Sequence, residues 1–355
     1  MVVTVRVLIV DDSAVIRSVL TRALAAESDM EVIGQAPDPF VARDIIVQKN
    51  PDVVLLDIEM PRMDGLTFLS KLMEYYPLPV IIVSSLTPAG SELALQAMRL
   101  GAVDVLSKPG AAYTLGNMVG VLVETIRAAA RVDVRRHLTQ NRLGARQPKF
   151  TALADTTQKI IAIGASTGGT VALESILTVM PPGTPGTVIV QHMPAYFTKS
   201  FAQRLNAISS VEVREAEEGD SVVTGVVLIS PGGCHMVLKR DGARYMVSVK
   251  QGPPVNRHCP SVDVLFNSVA RNAGRNAVAA LLTGMGADGA KGLLALKQAG
   301  ASTIAQDEQS CVVFGMPKVA IELGGADEVV ALDQIPQRLL ELVQRRTVGV
   351  RAANG

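Results

Sequence analysis

The chain has 355 residues, with 34 basic and 33 acidic side chains, a net charge of +1 and 48% hydrophobic content. That length suits two domains, each burying its own core, and the charge balance argues against a protein that coats nucleic acid. Its three cysteines form no spaced framework, so a reducing compartment and a cytoplasmic location are expected.

The apolar run from Val2 to Val10 is broken by Arg6 and ends in Asp11-Asp12, which fits neither a secretory signal nor a membrane span. No direct membrane insertion is expected. Residues 6–10 read as a buried strand that delivers Asp11 and Asp12 at its carboxyl end. Ser13 is placed to cap a helix with Val15, Ile16, Val19 and Leu20 on one face. Further strands are predicted at 31–34, 53–56, 80–83 and 103–106, separated by helical patterns. Five strands alternating with helices predict an open, doubly wound parallel α/β domain with its ligands at the strands' carboxyl ends.

Asp57 stands at another of those ends. Carboxylates gathered there repel one another unless a hard cation sits among them, and an all-oxygen set suits Mg²⁺. A single aspartate could equally be a solvated loop residue or a helix cap. The coincidence is wider, because Ser84 and Ser85 end the fourth strand and Lys108-Pro109 follows the fifth. Residues 4–125 resemble the receiver domain of two-component response regulators through Val10-Asp-Asp-Ser13, Leu56-Asp-Ile-Glu-Met-Pro61 with Asp64-Gly65, and Ser107-Lys-Pro109. The resemblance implies that Asp57 accepts a phosphoryl group from a histidine kinase while Asp11 and Asp12 help it hold Mg²⁺. It further implies that Lys108 pairs with the phosphoryl oxygens and that Ser84, with Ser85 as the adjacent alternative, is the switch hydroxyl.

A helical pattern over 115–130 runs into a stretch without hydrophobic periodicity, and residues 127–149 carry seven basic side chains against one acidic, with His137 among them. No aromatic interleaving or recognition helix accompanies the charge, so 126–158 reads as a solvated basic linker rather than a nucleic-acid arm.

From residue 159 to about 347 a second α/β domain is predicted, built on a mostly parallel sheet. Residues 160–163 form a buried strand, and Leu173, Ile176, Leu177 and Met180 recur at helical spacing beyond the turn Gly164 to Gly169. Gly164-Ala-Ser166-Thr-Gly168 matches G-x-S-x-G, a turn that exposes a serine oxygen below a helix N-terminus. Such glycines also serve plain turn geometry or a phosphate cradle. Residue 166 is serine where the dinucleotide pattern wants glycine, and the Gly-Lys-Ser/Thr of a phosphate loop is missing.

Two further strands, 187–191 and 277–282, run into His192 and into Thr283-Gly-Met-Gly-Ala-Asp-Gly289. In a parallel sheet Ser166, His192 and Asp288 then share one edge, the arrangement of a serine-hydrolase triad. Histidine titrates where it can activate a hydroxyl, a buried aspartate orients the imidazole, and amides of the Gly284-Met285-Gly286 turn are candidates to hold an oxyanion. The chain order Ser, His, Asp differs from that of the α/β-hydrolases. Alternatively, Asp288 caps the helix carrying Leu293, Leu294 and Leu296.

Over about 158–347 the sequence resembles the catalytic domain of the chemotaxis protein-glutamate methylesterases, the CheB family. The carriers are Ile163-Gly-Ala-Ser-Thr-Gly-Gly169, Val190-Gln-His-Met-Pro194, Asn256-Arg-His-Cys-Pro-Ser-Val-Asp263 and Leu282-Thr-Gly-Met-Gly-Ala-Asp-Gly289. The resemblance implies Ser166 as nucleophile, His192 as base and then acid, Asp288 as orienter and the Met285 amide in the oxyanion hole. The implied reaction is hydrolysis of glutamate γ-methyl esters on the cytoplasmic helices of chemoreceptors, with deamidation of receptor glutamine as a second activity. No cofactor is implied for hydrolysis. The unphosphorylated receiver is expected to cover the Ser166 cleft.

Cys234-His235 and His258-Cys259 lack zinc-site spacing, and both histidines are expected as polar residues at the cleft mouth. Asp241-Gly242 reads as the turn of a hairpin projecting from the sheet edge. Two other functions stay open on residue patterns alone: a nucleotide binder using the Gly164 to Gly169 turn, and a non-catalytic scaffold that binds receptor tails.

Overall fold

The computed structural model describes residues 4–60, 63–85, 87–108, 115–135 and 159–351. Pro61, Pro109, His137 and the expected linker from residue 136 onward lie outside these. The chain divides into two compact units. Among the described residues no helix is long and apolar enough to cross a membrane.

The first unit alternates β1 (Val5–Val10), α1 (Ala14–Ala25), β2 (Met30–Ala36), α2 (Pro39–Lys49), β3 (Val53–Asp57), α3 (Gly65–Tyr75), β4 (Val80–Ser84), α4 (Pro88–Arg99), β5 (Asp104–Ser107) and α5 (Leu115–Ala129). Its five strands lie parallel in the order β2-β1-β3-β4-β5. β3 and β4 are buried at every position: their apolar runs 53–56 and 80–83 suit strands covered by helices on both faces, and each run ends in a buried polar residue, Asp57 or Ser84. Helix starts follow local chemistry: Ser13 accepts from the Ile16 amide, and Asp64 accepts from the Thr67 amide at 2.8 Å. The order reverses between β1 and β3, which opens a crevice where Asp11 and Asp57 emerge.

The second unit runs β6 (Ile160–Ala165), α6 (Gly169–Leu177), β7 (Gly186–Gln191), α7 (Phe197–Ile208), β8 (Glu212–Glu215), β9 (Val226–Ile229), β10 (His235–Asp241), β11 (Arg244–Lys250), α8 (Val262–Asn272), β12 (Ala277–Leu281), α9 (Ala290–Gln298), β13 (Ser302–Gln306), α10 (Met316–Glu322), β14 (Glu328–Val330) and α11 (Ile335–Arg351). Seven strands form one sheet in the order β14-β13-β12-β6-β7-β9-β8, and every neighbouring pair is parallel. β6 is central, with β7 on one side and the late strand β12 on the other, so the switch point falls at the carboxyl end of β6.

The hairpin does not project from that sheet's edge. β10 and β11 pair from His235↔Lys250 to Asp241↔Arg244 as a separate two-stranded sheet that packs on α8. Met236, Leu238, Tyr245 and Val247 alternate on one face and join the core formed by Leu265, Phe266 and Val269. Roughly 2 kcal/mol for each buried side chain drives the hairpin onto the helix. The Leu238 amide donates to Ser268 Oγ at 2.8 Å, and Asn272 Nδ2 donates to the Leu238 carbonyl at 3.0 Å, fixing the contact.

Candidate active site

Ser166 sits just past β6, in a turn pinned from three sides. Its amide donates to the Thr283 carbonyl at 3.0 Å, and its own carbonyl accepts from the Gly169 amide at 2.7 Å and from Gln191 Nε2 at 2.9 Å. Gly168, at φ 78°, supplies the left-handed residue that turns the chain into α6. The neighbouring loop presses close, since a Cβ on Gly284 would lie 2.6 Å from that of Ser166. The Met285 amide follows in that loop and donates no hydrogen bond among the described residues.

His192 occupies the equivalent place past β7, where its amide donates to the Ala165 carbonyl at 3.0 Å. Ala165 and Gln191 are register partners, so Ser166 and His192 are neighbours on adjacent strands. His192 Nε2 lies 2.8 Å from Asp288 Oδ2, while Nδ1 is buried without a hydrogen-bond partner among the described residues. His258 stacks on His192 with ring centroids 3.7 Å apart and planes 9° apart. Burial, together with the adjacent His192, pushes the His258 imidazole down to about 3, so it stays neutral at ordinary pH.

Asp288 does not cap its own helix. α9 has Gly289 at its N-cap, without a side-chain cap, and Asp288 reaches across to the start of α8. There it accepts from Ser261 Oγ at 2.7 Å and from the Val262 amide at 2.6 Å; Asn256 Nδ2 donates to it at 2.7 Å. Asp263, on α8, reciprocates by accepting from the Gly292 amide of α9 at 2.6 Å. Each aspartate thus caps the other's helix, and both helix N-termini face the carboxylate pair. Burial alone would raise the Asp288 carboxyl, but hydrogen bonds and charge from His192, with those from Asn256 and Ser261, hold it well below the usual carboxylate range. Asp263 goes the other way, raised by burial and by the charge of Asp288.

In the first unit Asp11 and Asp57 are buried and Asp12 is exposed, with ligand oxygens all within 4.8 Å of one another. Lys108 Nζ donates to Asp57 Oδ2 at 2.7 Å and pairs with Asp11 Oδ2 at 3.2 Å. Burial pushes Asp57 up to about 6 despite Lys108. A carboxylate so penalised, among other carboxylate oxygens, fits a hard divalent cation such as Mg²⁺. Ser84, buried at the end of β4, donates to the Gly90 carbonyl at 3.3 Å, whereas Ser85 donates to Glu59 at 2.8 Å.

The sequence matches the family model of the CheB methylesterase over residues 161–339 and that of the response regulator receiver domain over residues 7–119. A protein of Syntrophus aciditrophicus named protein-glutamate methylesterase/protein-glutamine glutaminase 2 is 57% identical over 341 residues, covering 96% of this chain and 99% of that one. The chain belongs to the CheB methylesterase family. A Salmonella typhimurium member named protein-glutamate methylesterase/protein-glutamine glutaminase is 52% identical over 338 residues, covering 95% of this chain and 96% of that one. The crystal structure of the Thermotoga maritima CheB methylesterase catalytic domain superposes with a TM-score of 0.51 at 43% identity, covering 52% of this chain and 98% of that one. Family membership does not favour the nucleotide-binding and scaffold readings.

As a CheB family member, the protein brings Ser166, His192, Asp288 and Met285 to one sheet edge. It brings Asp11, Asp12, Asp57 and Lys108 to another. Sequence reasoning missed Gln191, which holds the serine turn, and the parts played by Asn256, Ser261 and Asp263. All lie in quoted motifs, yet only Ser261 before an apolar helical pattern carries a local signal, that of an N-cap. Of the two histidines expected at the cleft mouth, His258 stacks on His192, and His235 Nε2 is 2.9 Å from the Pro253 carbonyl.

Proposed function

We propose that Ser166, His192 and Asp288 carry the reaction for which the relatives are named. In that reading the chain is a phosphorylation-regulated serine hydrolase that demethylates glutamate γ-methyl esters on chemoreceptors and deamidates receptor glutamine. The observation that carries it is the His192 ring, with Nε2 held by Asp288 and Nδ1 buried, without a partner among the described residues, at the strand end next to Ser166.

An imidazole whose Nε2 proton points at a carboxylate offers the Nδ1 lone pair as base. Ser166 Oγ attacks the γ-carbonyl carbon as Nδ1 takes its proton, and Asp288 stabilises the imidazolium. The oxygen that gains the charge meets the Met285 amide. Collapse breaks the bond to the methoxy oxygen, which leaves as methanol with the proton from Nδ1, and a γ-glutamyl ester stays on Ser166. Water then gives a proton to Nδ1 and attacks that ester; glutamate departs and Ser166 recovers its proton. Glutamine follows the same course with ammonia as the leaving group.

In the receiver, Asp57 accepts a phosphoryl group from a chemotaxis histidine kinase, with Asp11, Asp12 and Asp57 holding Mg²⁺. The ion, when bound, neutralises charge on the phosphoryl oxygens. Lys108 pairs with one of those oxygens, and Ser84 is the hydroxyl that turns toward them. The working division is a receiver over 4–125, a basic linker over 126–158 and a catalytic domain over 159–347. A cytoplasmic location follows from a kinase and receptor helices on that side. Incubation with methylated receptor, read as methanol release, and labelling of Ser166 by a fluorophosphonate test the assignment together. A chain that turns over substrate with Ser166 unlabelled would sink it.

A further inference from the structure

Among the described residues four non-glycine positions adopt left-handed backbone, and two of them, Asn256 and Arg257, are consecutive at φ 51° and 68°. Val255 and His258 exchange both backbone hydrogen bonds, at 3.0 and 2.9 Å. Asn256-Arg257 is therefore a two-residue hairpin loop with positive φ at both central positions, a turn that favours asparagine followed by glycine. Asparagine is present. Glycine is replaced by arginine, which tolerates that backbone less well.

The turn is tied to the triad on both sides of the arginine. Asn256 Nδ2 donates to Asp288 Oδ1 at 2.7 Å and to Asp263 Oδ2 at 2.8 Å, and His258 stacks on His192. Residues 251–257 are all exposed, so Arg257 faces solvent on a turn whose flanking residues touch the triad. Its charge reaches inward far enough to help keep His258 neutral. Strain kept at such a place, where glycine would fit the fold better, points to a use for the side chain.

We propose that Arg257 is a specificity-determining residue whose guanidinium takes a side-chain carboxylate of the substrate protein close to the esterified glutamate. The inference rests on the methylesterase reading above. A planar guanidinium is suited to bidentate pairing with a carboxylate. The reaction itself makes such a partner wherever a segment carries more than one ester, because hydrolysis of one leaves a glutamate carboxylate beside the next. Hydrolysis of one site then favours the next, and acidic segments are preferred over neutral ones.

The test uses the full chain and two synthetic peptides that each carry one glutamate γ-methyl ester, with glutamate or glutamine one helical turn away. Nitrophenyl acetate serves as a small neutral ester. The wild type should prefer the glutamate peptide in kcat/KM by about tenfold, mostly through KM, and the preference should fade with salt. Arg257→Gly suits the turn, so its Tm should hold or rise while the peptide preference disappears. Arg257→Lys should restore part of it. Equal losses on both peptides and on nitrophenyl acetate would place the arginine at the reacting centre and overturn the proposal, as would an Arg257→Gly enzyme that keeps the preference. A wild type that hydrolyses nitrophenyl acetate but neither peptide would instead overturn the methylesterase reading, and this inference with it.

Discussion

Replacing His258 with phenylalanine keeps a flat ring against His192 and removes a group that must take up a proton when the protein unfolds in mild acid. In the folded chain burial and the adjacent His192 hold His258 at about 3, against 6.5 for the free side chain. A depressed histidine favours the unfolded state once that state binds the proton first. The contribution is therefore complete above pH 6.5 and is lost progressively as the pH falls toward about 3. From about pH 8 to about pH 5 the one-proton linkage costs the wild type about 2 kcal/mol, because the unfolded imidazole is then almost fully charged and the folded one almost neutral. His258→Phe should lose about 2 kcal/mol less over the same interval, whatever its absolute stability. Urea titrations of the two full-length proteins, followed by circular dichroism at both pH values, give the double difference, in which the receiver's own transition cancels. Acid sensitivities equal to within about 0.5 kcal/mol would mean that His258 gains its proton without unfolding, and the buried stack would be refuted.

Ser166→Ala should abolish both methanol and ammonia release while the circular dichroism spectrum is retained; surviving deamidation would require a second site. Asp288→Asn should lower kcat by roughly 10³ to 10⁴. It should also lower the urea midpoint, because the same carboxylate caps α8; a rate loss without a stability loss would contradict the shared cap. Asp57→Asn should not accelerate with acetyl phosphate, and the rise in wild-type Tm on adding Mg²⁺ should shrink in the variant. Deleting residues 1–150 should raise basal methanol release, and a truncated enzyme slower than the unphosphorylated parent would exclude an inhibitory receiver.

Strands β1, β3, β4, β6 and β7 were legible because a strand covered on both faces is largely apolar, and the motif residues lie at or just past its carboxyl end. Ser166 and His192 could be placed together from that pattern alone. The same pattern put Asp288 on that sheet edge, but its partners Asn256, Ser261 and Val262 were not legible, because no local rule links that segment to the loop after β12. Its mutual capping with Asp263 depends on how α8 packs on α9. The hairpin was visible in alternation and in its Asp241-Gly242 turn, but alternation says only that one face is covered. That α8 provides the cover is a tertiary fact. Likewise, a triad can be guessed from residue types, whereas the imidazole nitrogen that meets the carboxylate depends on side-chain orientation.

The crossed caps of Asp263 and Asp288 fuse two selective pressures into one residue. A sequence drifting under demand for stability alone would still keep an acid at 288, since two helix starts converge there. On the proposed assignment the site can outlive the activity: a descendant that lost Ser166 would retain the Asp288 carboxylate as scaffold. An alanine scan scored by expression would flag Asp288 as a folding residue and leave the proposed chemical part unseen.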